Sequence, residues 1–380
     1  MSRPTTKGYF VKERLVEARD ATGITQQDLA QSLGKSNSTI SNWERGEQAP
    51  EPASLDELSK KFNIPLGYFL RPMPDYGPSA IFFRSLANAA ARARSREKAR
   101  VRWLQHTSLM LQSMLEFPPV GFPELVEPGG YTRLSFDDLE QIATKARIHW
   151  SLGEGPISSM VLVAENAGVV VGIDEIGSTA IDGQSTWSAA DERPYILLTR
   201  DKYTAFRRQM DVAHELAHLI LHRGVDEAEL SINFARIEEQ AKYFANAFLL
   251  PHRSFSGEVF SLSLDGLLSL KPRWKVSVGA MIMRARQLEI LGDEAERRLW
   301  RYRAARGWHR REPYDLPTET PVEEPRLLRR AIEMLVTQKI RSKTDLFASD
   351  ICLPAAALEL MAVLPRGFFS EAANVIPPSD

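Results

Sequence analysis

The sequence holds a single cysteine, Cys352, among 380 residues. One thiol excludes an internal disulfide and any cysteine-built metal cluster, and it suits a reducing compartment. If a metal is bound, histidine and carboxylate side chains have to hold it. No stretch reaches the roughly eighteen apolar residues of a membrane span, and the opening MSRPTTKGYFVKERLVEARD lacks the apolar core of a signal peptide. The expected location is therefore the cytoplasm, with no membrane partner. An excess of either charge is missing too: the formal net charge is -1, so the chain as a whole exerts no electrostatic pull on nucleic acid. Internal repeats are also absent. What is present, 43% hydrophobic and 26% charged residues, is the composition of a globular protein. The length calls for more than one core.

Composition divides the chain into four. Residues 1–77 carry a compact helical pattern that stops at Arg71-Pro72-Met73-Pro74 and Gly77-Pro78, where the prolines break any helix. Residues 78–130 contain a basic segment, Arg84 to Arg102, with six Arg and one Lys against the single acid Glu97. Such a run reads as a solvated linker helix, with a phosphate-contacting helix as the alternative. Residues 131–292 mix types: helical FDDLEQIATKARIHWSL and ISSMVLVAENAG, a β-branched run from Gly168 to Ile173, a strand at Tyr195-Ile196-Leu197-Leu198, then long helices. Residues 293–380 hold an Arg-rich segment with Trp300 and Trp308, read as a partly buried amphipathic helix with a nucleic-acid or partner contact as the alternative, then a Pro/Glu linker and an amphipathic helix from Arg326 to Lys339. They carry no legible role.

Near the N-terminus, Thr25 has the position of a helix N-cap and Gly34 suits a positive-φ turn. Ser36 then caps a second helix in which Ile40 and Trp43 or Glu44 sit on successive turns, leaving Asn37, Ser38, Asn42 and Arg45 outward. Two helices joined by so short a turn present the second to a major groove. Asn pairs with adenine, Ser meets a base edge or a phosphate, and Arg reaches guanine or the backbone. The candidate DNA contacts are Gln26, Asn37, Ser38, Thr39, Asn42 and Arg45, and the expected partner is a double-stranded DNA operator. The pattern from Thr25 to Pro50 resembles the XRE-type repressor family. Charge argues the other way: residues 10–72 hold eight Lys and Arg against nine acids, a weak footing for phosphate affinity. A module for protein contacts is the alternative.

In Asp211-Val212-Ala213-His214-Glu215-Leu216-Ala217-His218 the two histidines are four residues apart, so on a helix they project from one face and can share a metal ion. Glu215 stands beside them, placed to act as a general base. A hydrolytic zinc site needs a third protein ligand and one open position. Glu238 shares a helical face with Ala241, Ala245, Phe248 and Leu249, which has to pack inward. Glu239 falls with Lys242, Tyr243 and Asn246 and is the weaker candidate. His222 is read as a packing or helix-capping residue, and His149 and His252 as ordinary ones. Arg207 and Arg208 either anchor the helix start or meet a substrate.

His-Glu-Leu-Ala-His, followed by Glu-x-x-Ala-x-x-Phe-Ala-x-x-x-Leu-Leu-Pro from Glu238, resembles the ImmA/IrrE metallopeptidase family. ISSMVLVAENAGVVV and the stretch from Asp182 to Ser185 follow the same layout. Ala217 in place of the usual glycine, and Met210-Asp211 before the motif, depart from it. The resemblance implies a Zn2+ site of His214, His218 and Glu238, with Glu215 as the catalytic base, in an endopeptidase that cleaves a helix-turn-helix repressor or antitoxin. The expected architecture is multidomain and mainly α: an all-α helix-turn-helix domain (1–77), a basic helix and linker (78–130), a central α+β zincin-like domain with a small sheet (131–292), and a helical C-terminal region (293–380). A homodimer is compatible with it. Two other readings stand beside the regulator that cuts its partner: a toxin or defence component, and a DNA-binding regulator whose peptidase-like domain only senses. The strand near Tyr195 is the expected edge for an extended substrate.

Overall fold

The computed structural model describes residues 10–83, 91–175, 183–200 and 204–370. Part of the basic segment, 84–90, and Asp182 lie outside the described residues. The N-terminal unit consists of α1 (Lys12–Thr22), α2 (Gln26–Ser32), α3 (Asn37–Arg45) and α4 (Pro52–Phe62), followed by a 3-10 turn over Leu66–Leu70. Local chemistry bounds each helix. Thr25 and Asp28 cap α2 reciprocally, and Ser36 accepts the Thr39 N–H at the start of α3. Helix α3 ends on Gly46 at φ +77°, a conformation that favours glycine. Leu15, Leu29, Ile40, Trp43, Leu55 and Phe62 fill the space between the helices.

The chain continues through β1 (Phe82–Phe83), α5 (Ala91–Gln112), α6 (Phe136–His149), α7 (Met160–Asn166), β2 (Val170–Asp174), β3 (Gly183–Ser188) and β4 (Arg193–Thr199). Then come α8 (Ala205–Leu221), α9 (Glu227–Leu249), α10 (His252–Glu258), α11 (Leu264–Trp274), α12 (Val278–Gln287) and α13 (Asp293–Ala305). Helix α14 (Leu327–Thr337), a π-helical turn over Asp345–Ile351 and α15 (Ala355–Met361) complete the fold. The mainly helical, multidomain expectation holds. Among the described residues, no helix is long and apolar enough to cross a membrane.

The four strands form one sheet in the order β1-β3-β4-β2, parallel between β4 and β2 and antiparallel elsewhere. Alternation along the strands sends Val171, Ile173, Ile196 and Leu198 to one face, packed under α8 and its neighbours. Val170, Tyr195 and Leu197 go to the other face, where they share a core with α5, α14, α15 and the N-terminal unit. The C-terminal region thus has a structural role that its sequence did not reveal: Leu328, Ile332, Leu358 and Met361 cover the second face of the sheet.

Two expectations change here. Strand β4 lies between β3 and β2, so the strand at Tyr195 has no free edge to offer a substrate. Helix α5 is not a solvated linker: Val101, Trp103, Leu104 and Leu111 are buried, with Glu97, His106 and Thr107 beside them. It approaches the sheet so closely that a Cβ on Gly172 would sit 2.8 Å from Leu104 Cδ1. Its cations are engaged as well. Arg100 donates to Asp174 at 2.7 Å, Lys98 pairs with Glu227, and Arg92 donates to the Gly23 carbonyl. The net charge of a segment says little about the face its apolar residues require. On the N-terminal side, Trp103 Nε1–H donates to the Tyr68 hydroxyl at 3.0 Å, Tyr68 donates to Glu17, and Arg14 pairs with Glu17 at 2.9 Å.

Candidate metal centre and DNA-reading face

Helix α8 begins at Thr204, whose hydroxyl accepts the Arg207 N–H, and runs without interior glycine or proline to His222, its C-cap. Arg208 is buried beside the end of β4, and Arg207 lies 3.7 Å from Asp211, so both arginines anchor the start of the helix. Asp211, one of the departures from the family pattern, is thereby accounted for by a local ion pair. Helix α9, capped by Asp226, crosses α8 and delivers its buried face to it. Glu238 is buried while Glu239 is exposed, in the order that the helical periodicity gives.

The structure brings His214, His218 and Glu238 together. The two Nε2 atoms are 3.1 Å apart, Glu238 Oε1 is 3.3 Å from His218 Nε2, and Oε2 is 3.5 Å from His214 Nε2. Ligands held about 2.0–2.1 Å from a tetrahedral zinc lie about 3.3–3.4 Å from one another, so the donor set has the spacing the ion requires. Glu238 Oε2 is buried and makes no hydrogen bond, with the Lys242 ammonium 3.8 Å away, a setting that suits a further cation. Burial works against ionisation of Glu238, but the His214 and His218 imidazoles beside it hold the carboxyl well below the usual carboxylate range.

A chain of hydrogen bonds sets the tautomer of His218. Gln240 Nε2–H donates to the Tyr131 carbonyl at 2.8 Å, which turns Gln240 Oε1 towards His222 Nε2, 3.1 Å away. His222 Nε2 is therefore the protonated nitrogen, and Nδ1 is left to accept from His218 Nδ1–H at 3.1 Å. That leaves the lone pair of His218 Nε2 facing the site. His222 is fully buried, and burial holds its pKa well below the ordinary value. It is the helix cap that its position suggests and also the orienting partner of His218. His149 and His252 are exposed, as expected.

Glu215 is buried next to the cluster and accepts the Ser185 hydroxyl at 2.6 Å through Oε2. A Cβ on Gly183 would lie 3.1 Å from Glu215 Oε1, so the glycine leaves that oxygen room. Sequence reasoning placed Ser185 only within a family-like stretch, with no role, and missed Phe82, whose ring stacks on the His218 imidazole at 4.7 Å and 6°. The first lies in a strand with no apolar alternation, and the second follows the prolines of a supposed linker.

On α3, Asn37, Ser38 and Arg45 are exposed and Thr39 and Asn42 half-buried. Arg45 is held within the unit, donating to Glu47 at 2.7 and 2.9 Å, to Ser41 at 2.8 Å and to Asn42 at 2.6 Å. Gln26 donates to Glu44 at 2.6 Å, and Glu44 also accepts from Arg19.

A helix-turn-helix family model matches residues 15–69, and a model of the IrrE N-terminal-like domain matches residues 164–286. The HTH-type transcriptional regulator ImmR of Bacillus subtilis (strain 168) is 38% identical over 58 residues, 15% of this chain and 46% of that protein. The matched region spans less than half the length of that relative.

Proposed function

We propose, for a chain that joins an XRE-type helix-turn-helix domain to an IrrE/ImmA-like domain of a metallopeptidase family, that it is a cytoplasmic DNA-binding regulator with a zinc-dependent endopeptidase site. Its substrate on this reading is a partner protein of the helix-turn-helix repressor class. The observation that carries it is the convergence of His214 Nε2, His218 Nε2 and the Glu238 carboxylate beside a second buried carboxylate, Glu215. Three protein ligands with an adjacent base suit hydrolysis, whereas a structural zinc site is closed by four.

Zinc bound there would polarise a peptide carbonyl and acidify water. The chain's own residues divide the remaining work. Ser185 occupies Glu215 Oε2 and fixes the carboxylate plane. Oε1, beside the side-chain-free Gly183, takes the proton from the attacking water and returns it to the leaving amine. His222 and Gln240 keep the His218 lone pair aimed inward.

The test is Glu215→Gln in the full-length chain, incubated with cellular helix-turn-helix repressors and followed by mass spectrometry. Cleavage should fall at least about a hundredfold while zinc content and fold stay unchanged. Equal cleavage by both proteins removes the peptidase assignment and leaves a regulator acting through its DNA-binding and interaction surfaces.

A further inference from the structure

We propose that residues 79–83 form an autoinhibitory strap, which occupies the strand edge where an extended substrate has to lie and which must leave before a polypeptide reaches the metal centre. This rests on the peptidase reading and concerns the regulation of that same site.

Three observations converge. The first is the register: β1 pairs with β3 at Phe82↔Ser185 and Phe83↔Gln184, and Ser185 is the residue bonded to Glu215. An extended peptide bound by strand addition needs the main-chain groups of such an edge. The sheet order leaves β2 as the opposite edge, with β4 between it and β3, so β3 is the strand next to the site and β1 covers it. The second is the ring of Phe82, only 3% exposed, lying parallel to the His218 imidazole at 4.7 Å. The third is closure: His214, Glu215, His218 and Glu238 are 3%, 2%, 1% and 4% exposed. A site that cuts polypeptides requires an open coordination position and access for a main chain.

The strap is also held in a way that permits release. Strand β1 has two residues. Its further anchors are the Thr186 hydroxyl donating to the Ala80 carbonyl at 3.0 Å, the Ala80 N–H donating to the Val225 carbonyl at 3.0 Å, and a single bridge between Ser79 and Asp226. A two-residue pairing holds little by itself, and Ala80 and Phe82 also pack with Tyr131, Val225, Leu230 and Ile237, so release uncovers that small apolar cluster. Residues 71–78 connect the strap to the helix-turn-helix unit, so a displacement of that unit that breaks the Ala189 N–H to Tyr76 carbonyl bond reaches the segment covering the metal centre.

The experiment compares wild type, Phe82→Ala and Thr186→Val as zinc-loaded full-length proteins, titrated with acetohydroxamate and with a tripeptide hydroxamate. Amide hydrogen exchange of β3 is measured in parallel on the metal-free proteins. The small probe should bind all three alike, the peptide probe should bind both variants at least tenfold more tightly than wild type, and β3 amides should exchange at least tenfold faster in the variants. If Phe82→Ala loses its zinc or its fold, Thr186→Val, which keeps the ring on His218, makes the same comparison. Equal binding of the peptide probe to wild type and variants, with the small probe binding normally, overturns the strap and makes β1 a permanent strand that substrate joins from outside. Failure of acetohydroxamate to bind any of the three removes the hydrolytic metal site, and the strap falls with it.

Discussion

Helices α3 and α8 each carry side chains suited to a particular chemistry, and the fold treats the two in opposite ways. Along α8 nearly every residue from Arg208 to Leu221 is buried, the two histidines and Glu215 included. Along α3 only Ile40 and Trp43 are buried, and the polar residues stand at the surface. A polar cluster inside a core has few arrangements that satisfy all its groups, so its geometry is set before any ligand arrives. A surface helix leaves its side chains to whatever partners are near, and those of Arg45 are residues of its own unit.

Substitutions in the buried face of α8 should have the largest effects. His214→Ala and His218→Ala each remove a donor from a site that fits the ion only as a set, and zinc affinity should fall by more than about a hundredfold, measured by competition with a chelator. His222→Ala removes only the partner of His218 Nδ1, and the loss should be about ten- to hundredfold, the range for a residue that supports a ligand. Full zinc occupancy in His214→Ala would show that Glu238 and His218 hold no metal in common with it.

Buried carboxyls differ from one another as well. Glu238 lies among imidazoles that favour its charge, whereas Glu97 on α5 is 1% exposed and neither of its oxygens has a hydrogen-bond partner. Burial raises the Glu97 pKa from 4.5 to about 8; Arg96 opposes the shift and Asp174 on β2 adds to it. Because the folded-state pKa is the higher one, the folded protein keeps a proton that the unfolded chain has released. The associated stability is complete below about pH 4.5 and is lost as pH rises through about 8. Melting temperatures of wild type and Glu97→Gln should therefore agree near pH 5 and separate towards pH 9. The variant should then be more stable by on the order of a few kcal/mol. Parallel curves would mean that Glu97 finds a partner in solution.

How far the sequence could be read follows the same division. The candidate site was legible because its signals are local: a capped helix, two histidines one turn apart, and a second helix whose apolar periodicity turns Glu238 rather than Glu239 inward. Strand β3 was not. It is buried throughout, yet Gly183-Gln184-Ser185-Thr186-Trp187-Ser188 shows no apolar alternation, because the Ser185 and Thr186 hydroxyls face Glu215 and the strap rather than water. Helix α5 misled because a count of arginines is blind to Trp103 and Leu104 on its inner face. The role of the C-terminal helices depends on a sheet far away in sequence, which no local pattern specifies. The helix-turn-helix was legible as a fold from its caps, but the ion pairs on its surface were not.

Those ion pairs set the smallest effect. In the free protein Arg45 forms two bonds to Glu47, both residues exposed. The pair stabilises the arginine's charge and lowers the pKa of Glu47 through the same contact. For Arg45 to reach a guanine or a phosphate it has to leave Glu47, and the carboxylate repels the phosphates in any case. Glu47→Ala removes both obstacles without touching the α3 core. DNA affinity should rise, but by no more than about fivefold, since an exposed pair contributes little in water. The gain should shrink as salt is added, because screening weakens the Glu47–phosphate repulsion. Binding isotherms of the full-length chain at two salt concentrations measure both effects. A loss of affinity in Glu47→Ala would instead mean that Glu47 holds Arg45 in its DNA-reading position, and that α3, like α8, is preorganised by its neighbours.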